Sequence, residues 1–107
     1  QPGEDVTRME RILGERIARR KALLDRAADR VRQVARTKGV EVRFFGSYAD
    51  GFLDAESDLD VLVMGNLDSQ VREDIFSALE RATADLDVVL DLIEAQRAPH
   101  LVEGSIP

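Results

Sequence analysis

From Thr7 to Lys38 the chain contains no proline and only one glycine, Gly14. Across that run Met9, Leu13, Ile17, Leu24, Ala28, Val31 and Ala35 recur at steps of three or four, or twice that. One side of an α-helix repeats every 3.6 residues or so, and the spacing therefore predicts one long amphipathic helix. Thr7 and Glu10 have the spacing of a capping box at its start. Arg36 and Lys38 suit the dipole at its end, and Gly39 is placed to close it. About 30 residues at roughly 1.5 Å each span roughly 45 Å. A domain of 107 residues is not that wide. The N-terminal half is therefore expected to project and to pack on another surface, a second copy forming a homodimer being one option. A helix broken at Gly14 is the alternative.

The rest of the chain is short and alternating. Val40 to Phe45 is β-branched and aromatic and reads as a first strand, Leu59 to Met64 as a second, and Leu86 to Ile93 as a third. Between the last two, Asp68 or Ser69 can cap a helix whose buried face would be Val71, Ile75, Leu79 and Ala82. The order helix, strand, strand, helix, strand predicts a small mixed sheet covered by helices, of the α/β (α+β) class. The reading is one domain over 1–107, with the long helix at about 7–38 and a core at about 40–102. Phe44, Phe45, Phe52 and Phe76 read most simply as core, and the lone histidine, His100, as a surface residue.

Charge narrows the function. With 21 acidic residues against 15 basic ones, the net charge is −6. Such a chain repels phosphate backbones, which argues against nucleic-acid binding as its main role. Most of the basic residues fall between Arg8 and Arg43, including Arg19-Arg20-Lys21, and read as a solvated helix face. There is no cysteine, which excludes disulfides and thiolate metal sites and suits a reducing, cytoplasmic compartment. No apolar run approaches the roughly 20 residues of a membrane span. The first residues lack the basic-then-apolar order of a signal peptide.

The stretch GSYADGFLDAESDLDVLV, positions 46 to 63, carries the chemistry. Strand side chains alternate, so Asp58 and Asp60 share a face of an otherwise apolar strand. Asp87 and Asp91 share a face of the third strand, and either can join them if the strands are neighbours. Three carboxylates that close need a cation to stay ionised. Hard divalent ions such as Mg²⁺ suit oxygen donors and substrate phosphates. A metal pair can activate an attacking hydroxyl and stabilise a leaving phosphate. Gly46 after a strand lets backbone approach a ligand, and a short helix from Ser47 would present free amides to a phosphate. Tyr48 lies beside this cradle and either lines it or covers the sheet edge.

Gly46-Ser47, ten residues, then Asp58-x-Asp60 resembles the signature of the DNA polymerase β-like nucleotidyltransferase superfamily. The closest resemblance is to its smallest branch, the minimal nucleotidyltransferases. It extends from about Val40 to Val102, and SDLDVLV, Ser57 to Val63, matches that branch well. The run DLIEAQRAP, Asp91 to Pro99, resembles the segment that starts at the third aspartate in relatives, which favours Asp91 over Asp87. The resemblance implies a nucleotidyltransferase fold that takes ATP, with two Mg²⁺ ions on Asp58, Asp60 and Asp91. Gly46 and Ser47 would hold the terminal phosphates. It further implies a HEPN ribonuclease toxin as partner, neutralised by transfer of AMP to one of its tyrosines, by tight binding, or by both. One position departs. Where relatives often carry a basic residue, GSYADG has Asp50, and an acid there repels a triphosphate unless it turns away. A catalytically silent binding module and a small-molecule nucleotidyltransferase of the antibiotic-modifying kind are the other readings.

Overall fold

The computed structural model describes residues 2–107, with side chains described from Thr7 onward. The helical run forms one element, α1, from Pro2 to Lys38, 37 residues without a break at Gly14. Thr7 lies inside this helix and not at its cap. Chain order continues with β1 (Val42–Phe45), α2 (Gly46–Asp50), β2 (Leu59–Val63), α3 (Ser69–Thr83) and β3 (Leu90–Glu94). Two 3-10 turns, Ala95–Arg97 and Pro99–Leu101, come next, and Ile106 then bridges back to Phe44. This is the expected α+β class: a three-stranded mixed sheet in the order β1-β2-β3. β1 runs antiparallel to β2, and β3 parallel to it after the crossover through α3.

Strand alternation divides the sheet into two faces. Val42 and Phe44 of β1 and Leu59, Val61 and Val63 of β2 point at the helices. There they meet Leu24, Ala28, Val31 and Ala35 of α1 with Ile75 and Leu79 of α3. Burying a large apolar side chain such as Phe44 or Leu24 contributes about 1.5–3 kcal/mol. The aromatic core continues from Phe44 to Tyr48, edge to face at 5.8 Å, and the Arg32 guanidinium lies 4.8 Å over the Phe44 ring. The opposite face carries Phe45, Asp60 and Asp91 in one row across the three strands.

Several boundaries move. Asp68 does cap α3, accepting a hydrogen bond from the Val71 amide at 2.9 Å. Its buried face is Ile75, Leu79 and Thr83, while Val71 in the first turn is exposed. The third strand starts at Leu90, four residues later than its apolar run suggests. Phe52 is not core: it is 85% exposed on the loop after α2. Among the described residues of the first turns of α1, Met9, Ile12 and Leu13 are exposed, Met9 by 70%. The long dimension of the molecule is 61 Å against 30 and 17 Å. No described helix is long and apolar enough to cross a membrane.

Candidate functional site

Asp60 occupies the middle strand, where its backbone is paired on both sides. In the ladder it stands opposite Phe45 of β1 and Asp91 of β3. Asp58, two residues earlier, shares its face by alternation and sits just ahead of β2, exposed. Asp60 feels the other two carboxylates. Burial pushes the Asp60 carboxyl up to about 6, helped by the charges of Asp91 and Asp58 and by a hydrogen bond with Asp91. Asp87 is the candidate left out. It lies in the bend before β3, and its backbone carbonyl accepts a 2.8 Å hydrogen bond from Arg20 Nη1. The ladder thus brings Asp91, and not Asp87, opposite Asp60.

Gly46 touches this row directly. β1 passes into α2 without a loop, and Gly46 turns the corner at φ 70°. A Cβ built there would lie 2.0 Å from Asp60 Oδ2 and 3.0 Å from its Cγ. Only a residue without a side chain lets the backbone come so near the carboxylate. Ser47 is next, half-buried, and its carbonyl accepts the Gly51 amide at 2.9 Å, closing the short helix. Tyr48 anchors that helix to α1 by donating its hydroxyl to Asp25. Burial, then the hydrogen bond to Asp25, pushes the Tyr48 hydroxyl up to about 12. Tyr48 thus packs on the core side and does not line the row of carboxylates.

The loop that delivers Asp58 is braced internally. Ser57 Oγ accepts the Asp54 amide at 2.9 Å, and Asp54 Oδ1 accepts the Glu56 amide at 2.8 Å. It is also braced from α1, where Arg20 Nε donates to the Ala55 carbonyl at 3.0 Å. Arg20 belongs to a run that reads in sequence as a solvated helix face, and no local signal marks it. On the other side of Gly46 lies an open cleft of ≈ 270 Å³, lined among others by Phe45, Gly46, Asp50, His100 and Glu103. His100 is exposed, as expected of it, but it stands on this cleft. Asp50 is exposed on the same cleft.

Among the described residues no group of three His, Asp or Glu side chains is already arranged around a metal position. The chemistry of the donor set nonetheless suits a hard divalent ion. Three carboxylates, one of them driven toward its neutral form by burial and by the other two, are relieved by a cation. Two of the three, Asp58 and Asp91, are exposed and able to turn toward it. The family model described as a nucleotidyltransferase domain matches residues 24–105, which takes in the glycine-serine corner and all three aspartates. No curated protein and no solved structure matches the chain.

Proposed function

Because the chain belongs to the nucleotidyltransferase domain family, we propose that it moves the adenylyl group of ATP to a hydroxyl of a partner protein. The family supports nucleotidyl transfer in general; ATP, the acceptor and the partner are our reading. The observation that carries it is the contact of Gly46 with Asp60, with Asp91 beside them in the ladder. The corner read as a phosphate cradle would there adjoin Asp60, one of the carboxylates read as metal ligands. Asp58 and Asp60 would hold both Mg²⁺ ions, and Asp91 one of them. Bound there, the ions would supply charge that activates the hydroxyl and neutralises the leaving pyrophosphate. Gly46 and Ser47 bind the terminal phosphates through backbone amides and the Ser47 hydroxyl. The acceptor oxygen bonds to the α-phosphorus as the bond to the pyrophosphate oxygen breaks. Asp91 takes the hydroxyl proton.

Two features support a protein acceptor. Asp91 is exposed on β3, an edge strand, where a loop of another chain can reach it. The uncovered stripe of Met9, Ile12 and Leu13 on α1 calls for an apolar partner surface. The resemblance of GSYADGFLDAESDLDVLV to minimal nucleotidyltransferases supports the narrower reading: a cytoplasmic antitoxin that modifies a tyrosine of a HEPN ribonuclease encoded beside it. Asp50 favours a second reading. With Glu103 it makes the cleft beside Gly46 acidic, which weakens triphosphate binding and suits a module that neutralises its partner by binding alone.

Incubation with labelled ATP, Mg²⁺ and the product of the neighbouring gene separates the two. The adenylyl transferase labels that product. Absence of label, with neutralisation intact in an Asp58→Asn/Asp60→Asn variant, leaves the binding module.

A further inference from the structure

We propose that Arg20 is a positioning residue for the metal carboxylates, an inference that rests on the nucleotidyl-transfer reading of the site. Its one guanidinium joins two segments far apart in the chain. Nε donates to the Ala55 carbonyl at 3.0 Å and Nη1 to the Asp87 carbonyl at 2.8 Å. Ala55 lies three residues ahead of Asp58, and Asp87 four ahead of Asp91. Neither segment belongs to the sheet at those points: 51–58 is loop and turn, and 84–89 is turn, bend and loop. Asp60 needs no such help, being paired within the ladder on both sides. Asp58 precedes its strand, and Asp91 is the second residue of an edge strand. The ladder holds Asp91 opposite Asp60 from one side only, and the spacing of Asp58 from Asp60 depends on how its lead-in backbone is held.

A planar guanidinium fixes two acceptors at once in a way that a single ammonium does not. Both bonds are charge-assisted and so stronger than ordinary backbone pairs. Where the two segments enter the sheet, a backbone bond from the Leu59 amide to the Val89 carbonyl, 3.1 Å, continues the same join. The arginine comes from α1, ahead of the residues 24–105 matched by the family model. The long helix thus reaches toward the site from outside the matched residues. Arg16 and Arg19 line the same groove with Arg20, Ala55 and Glu56, and supply controls of like charge.

Metal affinity tests this without an acceptor. Mn²⁺ binding to the full chain is followed at neutral pH by the electron paramagnetic resonance signal of the free ion, with folding checked by circular dichroism. Arg20→Met is expected to weaken Mn²⁺ binding by about tenfold or more, the scale at which outer-shell partners act on a metal site. Arg20→Lys should fall between it and the wild type, and Arg19→Met should match the wild type. Ile75→Val, a core change in α3, separates lost stability from lost positioning and should keep wild-type affinity. An Arg20→Met protein that binds Mn²⁺ as the wild type does overturns the proposal. If Arg20→Met does not fold, wild-type affinity in Arg20→Lys overturns it equally. Wild-type protein that binds no Mn²⁺ overturns the site reading itself and Arg20's role with it.

Discussion

At Gly46 the chain has no room for a methyl group. Its φ of 70° costs an L-residue about 1–2 kcal/mol, and a Cβ would collide with Asp60 Oδ2. Gly46→Ala should therefore lose at least about 1–2 kcal/mol of stability in urea denaturation, and Mn²⁺ affinity with it. Unchanged affinity in a folded variant would show that the corner and the carboxylates are independent. Asp60 sets a pH dependence. Its folded pKa of about 6 stands above the ordinary value of 3.8. The folded state therefore keeps a proton that the unfolded state has lost. This contribution to stability is full below about 4 and disappears as pH rises through about 6. Metal-free protein should lose thermal stability across that window, and Asp60→Asn should flatten the curve. A cation competes with the same proton, so the rise in Tm on adding Mg²⁺ should be larger at pH 7.5 than at pH 5.

At the scale of elements, two phenylalanines only eight residues apart make opposite predictions. Phe44→Ala empties a fully buried position under α1 and should cost about 3–5 kcal/mol. Phe52→Ala removes a ring that is 85% exposed, and urea denaturation should move by no more than about 0.5 kcal/mol. Apolar identity alone does not separate them. Phe44 sits at an inward position of a strand, whereas Phe52 comes after Gly51, which at φ 82° ends α2 and sends the chain outward. The same limit explains the late start of β3. Leu86 to Val89 is as strand-like in composition as Leu90 to Ile93. However, the Leu86 amide donates to the Thr83 carbonyl in a turn, and the Val88 amide donates to the Leu86 carbonyl at 2.8 Å. Features set by neighbours in the chain are legible in it: the stripe of α1, the Asp68 cap, and the Gly-Ser corner before an Asp-x-Asp strand. The choice of Asp91 over Asp87 needs the family likeness first and the ladder opposite Asp60 second. Arg20 is beyond such reading, because its acceptors lie 35 and 67 residues away.

At the scale of the molecule, a helix that packs on the sheet through Leu24, Ala28, Val31 and Ala35 extends beyond it. The long axis of 61 Å is set by α1, and the exposed stripe of Met9, Ile12 and Leu13 lies on the half that the core does not cover. Ile12→Asp with Leu13→Asp should leave urea stability of the isolated chain within about 0.5 kcal/mol and Mn²⁺ affinity unchanged. Modification of the partner should fall, because the surface proposed to receive it is lost. A variant that modifies its partner at the wild-type rate would show that the stripe serves another purpose. The central claim is that Asp58, Asp60 and Asp91 make a centre for nucleotidyl transfer, and the position of the label in ATP tests it most directly. With Mg²⁺ and the product of the neighbouring gene, label at the α-phosphate of ATP should pass to protein, label at the γ-phosphate should not, and Asp60→Asn should transfer neither. Transfer of the γ-label, or equal α-labelling by Asp60→Asn, would contradict the account.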